Sequence, residues 1–380
     1  MNKAALLLDG RFIYWRSIIL ALAILTAMLM ATALRLGQKK QRLGPLLIAF
    51  PIAMAFSLCA SRAIHWYCRF ETYESFRAAM TDFTGGGWSL MGVFAGTIAA
   101  LCLVRALFLT RDLPALLDAV SPAAALGIAV GRLGEYFSNA NRSKFIFRNP
   151  RLLRVPFSAP AVNVTSGVTE WRAATFFGQS GWALLLFVTL FLHLVIPRRR
   201  RPYRESWRSG RVFELFMILY CLGQILFDST RYDALFLRSN GFVSLEQIVC
   251  GVVLVAVLIL YTVRSVIANR FHVWQILLWL AALAGLGLAG YMEYYVQRHA
   301  DQFLFAYGMM ADGLLIFFCA ALAMYRSTTL PPEKRGAGAA QSASVEFAES
   351  VEAPPAAEAA AHPEADEAEP APILPDLRKR

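Results

Sequence analysis

Charge is scarce in this chain. Only 17% of its 380 residues are Asp, Glu, Lys or Arg, against about 25% in a typical soluble domain. That shortage excludes an ordinary solvated surface over most of the sequence. Metal-ligand patterns are missing as well. The six cysteines, Cys59, Cys68, Cys102, Cys221, Cys250 and Cys319, are scattered through apolar segments, which excludes a zinc module and a disulfide framework. The five histidines are dispersed, and His65, beside Trp66 and Tyr67, fits an aromatic belt at a membrane interface. No metal and no cofactor are implied. The formal net charge of +11 does not point to nucleic acid. Its Lys and Arg gather in short clusters between apolar runs, where membrane topology places them.

What remains is hydrophobic. Residues of that class make up 57% of the chain and gather into runs over 13–36, 45–67, 88–109, 113–130, 174–196, 212–227, 245–267, 273–295 and 303–325. At 1.5 Å per residue such runs cross a hydrocarbon core of about 30 Å, the fourth and sixth marginally. The fold class that follows is all-α: a polytopic integral membrane protein of about nine transmembrane helices, with a disordered C-terminal tail. Ala31-Thr32-Ala33 mimics a signal-peptidase site, but Arg35, Lys39, Lys40 and Arg42 follow it directly and hold that end in the cytoplasm as an uncleaved helix. Basic clusters after the first, third, fifth, seventh and ninth runs then share one side, which puts the N-terminus outside and the C-terminus in the cytoplasm.

Two segments break the pattern. Residues 132–172 lie outside by span counting, yet they carry seven Lys or Arg against Glu135 and Glu170. Long loops obey the charge rule weakly, and an external head meeting anionic lipid headgroups fits equally well. From about residue 328 onward Ala, Pro and Glu take over and periodicity disappears, so 328–380 reads as a disordered acidic tail.

The most informative stretch is 118–141, DAVSPAAALGIAVGRLGEYFSNAN. A helix with an acid at Asp118 and a proline at Pro122 emerges at Gly131-Arg132-Leu133-Gly134. Glycines flanking an arginine let the backbone turn tightly and bring the guanidinium to a ligand. Its planar fork suits a phosphate, although an interfacial arginine snorkelling to lipid headgroups explains the same residues.

This stretch resembles the prolipoprotein diacylglyceryl transferase family, whose Asp-x3-Pro-x4-Gly-x3-Gly-Arg-x-Gly pattern is fitted by Asp118, Pro122, Gly127, Gly131, Arg132 and Gly134. Further likenesses follow in order. They are Arg62 in Ala60-Ser61-Arg62, the element Gly86-Gly87-Trp88-Ser89-Leu90-Met91-Gly92, Asp228 with Arg231, and Ser244-Leu245-Glu246-Gln247. The resemblance covers roughly residues 13–266. It implies a membrane domain over 1–268, with seven spans and an external head at about 131–173. Two additional helices follow over 269–327, then the tail.

By resemblance the activity is transfer of a diacylglyceryl group from phosphatidylglycerol to the lipobox cysteine thiol of a lipoprotein precursor. The partners are then phosphatidylglycerol, precursor signal peptides and membrane lipids, in a bacterial plasma membrane. The alternative is a catalytically degenerate member that keeps only a phospholipid-binding or assembly role. The sequence departs from the family where Met91 replaces a histidine, Glu135 an asparagine and Gln224 an arginine. The substrate-binding residues implied are Arg132 and Arg231, with Gly131 and Gly134 shaping the backbone. The acids left to take a thiol proton are Glu135 and Asp228, while Asp118 reads equally well as a structural partner.

Overall fold

The structure is a computed structural model that describes residues 4–8, 11–37, 42–81, 87–107, 109–110, 112–163, 166–200, 210–237, 240–269, 272–299 and 302–329. The acidic tail, beyond its first two positions, lies outside the described residues. So do the basic loop at 201–209, Lys39 and Lys40.

In lipid, backbone N–H and C=O groups must be satisfied within the chain, so long apolar runs take the helical form. In chain order the helices are α1 (Trp15–Leu36), α2 (Gly44–Cys68), α3 (Phe76–Thr81), α4 (Leu90–Ala106), α5 (Leu113–Leu133) and α6 (Thr175–Arg200). Then come α7 (Arg211–Thr230), α8 (Leu245–Asn269), α9 (Trp274–Arg298) and α10 (Phe303–Thr329). Among the described residues eight helices are long and apolar enough to cross a membrane, and α4 is apolar but only 17 residues long. At roughly 25 Å it falls just short of a 30 Å core. Among the described residues the polytopic all-α architecture therefore consists of eight helices of full spanning length, the shorter apolar α4 and the six-residue α3.

The runs at 113–130 and 212–227 looked marginal because counting stops at charge. As helices they have 21 and 20 residues. They continue through Arg132 and Asp228, whose charges are paired inside the bundle.

Three antiparallel hairpins add a little β-structure: β1 (Ala4–Leu8) with β2 (Arg11–Tyr14), β3 (Ser158–Val162) with β4 (Thr169–Ala173), and β5 (Phe236–Leu237) with β6 (Asn240–Ser244). They precede α1, join α5 to α6 and join α7 to α8. All three sit at the end of the bundle where α1 begins and α5 and α7 finish.

The apolar core is centred on α7. Its Phe216, Ile218 and Ile225 pack with Leu190 of α6, Leu254 and Leu258 of α8, and Met310 and Phe317 of α10. A second cluster joins Ala31, Leu46, Leu101 and Leu116 of α1, α2, α4 and α5. α1 runs antiparallel to α5 at close range. A Cβ on Gly127 would lie 2.9 Å from Ala27 Cβ, and one on Gly134 would lie 3.2 Å from Ile19. α9 and α10, which lie beyond the family resemblance, are built into the same bundle. Tyr307 donates to the Ser229 carbonyl (3.2 Å), Gln247 Nε2 donates to Glu293 (2.8 Å), and Gln275 Nε2 donates to Ser265 (2.8 Å).

Asp118 is structural. Helix N-termini carry N–H groups without intrahelical partners. At the start of α7, Gly210 adopts φ 99° and supplies no capping side chain. The Asp118 carboxylate takes that place from the neighbouring α5. It accepts from Gly210 N at 2.7 Å and from Phe213 N at 2.9 Å, with the helix dipole favouring its negative charge.

Candidate functional site

Two arginines define the site. Arg132 lies in the last turn of α5, and Glu135 follows in the 3-10 turn Gly134–Phe137. The Arg132 Nη1 donates to Glu135 Oε1 at 2.9 Å, and both side chains are close to buried. Glu135 Oε2 is buried as well, with no hydrogen-bond partner among the described residues.

Arg231 ends α7 and is held by three carboxylates. Its Nη1 donates to Asp228 Oδ1 at 2.9 Å and to Glu246 Oε2 at 3.4 Å, and its Nε donates to Asp233 Oδ1 at 3.1 Å. Ser244 Oγ occupies the other Asp228 oxygen, and Gln224 Nε2 donates to Glu246 at 2.6 Å. Burial works against the Arg231 charge. Asp233, Asp228 and Glu246 outweigh it and hold the guanidinium protonated well beyond its usual range.

Arg132 and Arg231 are within electrostatic reach of each other, so two cations and four carboxyls form one neighbourhood. The two arginines differ in how much of their hydrogen-bonding capacity is spent. Among the described residues Arg231 is committed to three acids, whereas Arg132 is paired with Glu135 alone. A planar fork with free donors can take an incoming phosphate. The unpartnered Glu135 oxygen beside it can take a proton. Within the same reach lies the Tyr220 hydroxyl of α7, buried and without a partner among the described residues.

The segment after Arg132 is draped over this cluster. Ser143 bridges to Arg231, Lys144 N donates to the Thr230 carbonyl at 2.8 Å, and Asn141 N donates to Asp233 Oδ2 at 2.9 Å. Asn141 takes φ 57°, a conformation that asparagine tolerates better than most residues. Its amide donates to Gln179 of α6. The fully buried Arg142 donates to the carbonyls of Tyr136, Ser138 and Ala140 and lies 4.5 Å over the Phe176 ring.

Several expectations change here. The glycines beside Arg132 do not make a tight turn. Gly131 is helical, and Gly134 has φ −62° and serves the close approach of α1 at Ile19. The basic excess of 132–172 is only partly a surface, because Arg132, Arg142 and Arg172 point inward while Lys144, Arg148, Arg151 and Arg154 remain exposed. Met91 is packed in the apolar core. Arg62 is a brace, donating to the Ala79 and Gly87 carbonyls at 2.8 and 3.0 Å, and His65 Nδ1 is bonded to the Tyr73 hydroxyl at 3.0 Å. Asp233 and Glu246 had no assigned role in the sequence, one lying in a loop of mixed charge and the other at a helix start. Nothing in the apolar run of α7 distinguished Tyr220.

The Asp233 pairing gives a pH signature. Burial alone would raise its carboxyl, but Arg231 and the Asn141 N–H bring it below the ordinary 3.8. A folded-state value below the unfolded one contributes stability that is complete above about pH 5 and is lost as pH falls through the lowered value. Thermal melts in detergent at decreasing pH should therefore show an acid limb that Asp233→Asn flattens. A limb of the same slope in the variant would remove Asp233 as its cause.

Comparison with known proteins gives one answer. A family model described as prolipoprotein diacylglyceryl transferase matches residues 4–263. The phosphatidylglycerol--prolipoprotein diacylglyceryl transferase of Parasynechococcus marenigrum is 28% identical over 226 residues, covering 58% of this chain and 77% of the relative. The Clostridium perfringens transferase 1 is 27% identical over 272 residues, covering 68% and 95%. The Finegoldia magna transferase is 25% identical over 259 residues, covering 67% and 94%.

Proposed function

The chain belongs to the prolipoprotein diacylglyceryl transferase family, and we propose that it transfers diacylglyceryl from phosphatidylglycerol to the cysteine thiol of lipoprotein precursors, with Arg132 and Glu135 as the reacting pair. The observation that carries this is the Arg132–Glu135 contact, in which one guanidinium with a single acidic partner stands beside a buried, unpartnered carboxylate oxygen.

The chemistry needs a group to accept the thiol proton and a group to stabilise the departing glycerol phosphate. Arg132 serves the phosphate. As its fork turns to the phosphate oxygens, Arg132 releases the Glu135 carboxylate, which is then free to accept the thiol proton. The sulfur attacks the glycerol carbon, the carbon–oxygen bond to phosphate breaks, and the thiol proton goes to Glu135. Asp228 is the weaker candidate for that proton, because both of its oxygens are engaged. Arg231 acts as an electrostatic anchor that keeps Asp228, Asp233 and Glu246 in place. A binder without catalysis gives no account of the unpartnered Glu135 oxygen.

The test is substitution at Arg132. A charge-assisted hydrogen bond contributes about 1.5–3 kcal/mol, so Arg132→Ala should bind phosphatidylglycerol roughly ten- to hundredfold more weakly. Arg132→Lys keeps the charge without the fork and should recover only part of the loss. Wild-type lipid binding by the alanine variant would show the motif to be structural.

The orientation that suits this chemistry puts the site at the outer face of a bacterial plasma membrane, with the N-terminus outside and the tail in the cytoplasm. In intact cells Ser344→Cys should then stay unlabelled by an impermeant thiol reagent. Labelling there would reverse the topology.

A further inference from the structure

α8 and α9 enclose a groove that neither the reacting pair nor the ionic cluster uses. Its volume is about 490 Å³. Its mouth is polar and lies at the site's end of the bundle, formed by Gln247 in the first turn of α8 and Glu293 near the end of α9. These groups satisfy one another: Gln247 Nε2 donates to Glu293 and to the Ile225 carbonyl, and its Oε1 accepts from Ser244 N. They ask nothing of a ligand. Beyond the mouth the walls are apolar, running past Val255 and Leu286 to Ile259. One turn below the mouth two glycines face open space, since a Cβ on Gly251 or Gly290 would meet nothing within 4 Å. Among the described residues no side chain fills the gap they leave.

The dimensions and the position select the occupant. From Gln247 to Ile259 is twelve residues of helix, roughly 18 Å, against roughly 15 Å for one leaflet of a 30 Å hydrocarbon core. The mouth is also continuous with the ionic cluster. Gln247 N donates to Ser244 Oγ at 3.1 Å, and Ser244 Oγ donates to Asp228, the partner of Arg231. A chain in the groove therefore begins beside the ionic cluster, whose Arg231 and Glu246 lie within electrostatic reach of Arg132.

Resting on the reading of Arg132 as the phosphate site, we propose that the groove between α8 and α9 seats one acyl chain of the phosphatidylglycerol that donates its diacylglyceryl group. The matched family region ends at residue 263, and α9 begins at Trp274. One wall of this subsite thus comes from a helix outside the matched region, which makes chain selection a property of the longer chain.

Two measurements on the full-length protein test it. In mixed micelles with a precursor peptide as acceptor, Ala256→Trp narrows the far half of the groove from an exposed position. It should raise KM several-fold for long-chain phosphatidylglycerol, leaving kcat and the short-chain lipid unchanged, the signature of lost uniform binding. Gly251→Leu, one turn below the mouth, should raise KM for both lipids. Gly287→Leu, which enters open space outside the groove, should match wild type. An unchanged long-chain KM in Ala256→Trp, or an equal loss on both lipids, overturns the proposal. In the second measurement, phosphatidylglycerol with a photoreactive chain end is cross-linked in vesicles and should label peptides of α8 or α9 around Ile259 and Leu286. Labelling there without any transfer by wild type would keep the groove and sink the proposed reaction. Transfer with labelling elsewhere would sink the groove alone.

Discussion

Glu135→Gln should abolish lipid transfer while leaving the bundle folded and phosphatidylglycerol bound. The substitution is nearly isosteric, and an amide oxygen can still accept the Arg132 hydrogen bond. What disappears is the basicity of the oxygen that has no partner. General-base catalysis is worth about 10²–10⁴ in rate, and a loss in that range is expected for thioether formation on a reporter precursor, followed by mass spectrometry. Asp228→Asn should behave differently. Its oxygens accept from Arg231 and Ser244, so its loss should appear first as a lower melting temperature. Transfer within tenfold of wild type in Glu135→Gln would place the base elsewhere.

Arg231→Ala should be the most destabilising single change in the site. It removes the cation shared by Asp228, Asp233 and Glu246 and leaves three carboxyls crowded in a largely desolvated space. Breaking a buried pair by removing one partner costs about 3–5 kcal/mol, because the remaining charge is uncompensated. Thermal unfolding in detergent, followed by accessibility of the buried Cys250, would report it. Arg231→Lys should recover only part, since one ammonium cannot reproduce a planar fork that meets three acids. A melting temperature equal to wild type in Arg231→Ala would mean that the acids are reorganised or neutralised at little cost.

The spans were legible because the membrane leaves a helical backbone little alternative, and apolar runs of this length are hard to mistake. Their ends were less so. Arg132 and Asp228 stop a hydropathy count, yet both lie inside helices because Glu135 and Arg231 neutralise them. The Gly-Arg-x-Gly signature drew attention to Arg132 but suggested a tight turn at glycines that are helical, since a contact with Ile19 of α1 leaves no local mark in the sequence. Distance along the chain hid the rest. Asn141 meets Asp233 across 92 positions, and Arg231 meets Glu246 across an intervening hairpin. Charge counting also left Arg142 undistinguished among the seven basic residues of 132–172, although three carbonyls and an aromatic ring take it inside.

The Asp118 cap has a consequence for the spacing of the two arginines. α5 and α7 point the same way. The carboxylate ties them together near their starts, fourteen residues before Arg132 on α5 and eighteen before Arg231 on α7, counted from Asp118 and Phe213. At 1.5 Å per residue the tie lies some 20 Å or more from the chemistry, on the far side of the bilayer. It acts as an axial stop. With α7 free to slide by a fraction of a turn, the anchor cluster around Arg231 would shift along the bundle axis relative to Arg132, and the two halves of the proposed site would fall out of step. Asp118→Asn keeps an oxygen for one N–H only, so such slippage should appear as slowed transfer in a protein that still binds lipid. The start of the signature and its arginine are then two ends of one gauge, set at one face of the membrane and used at the other.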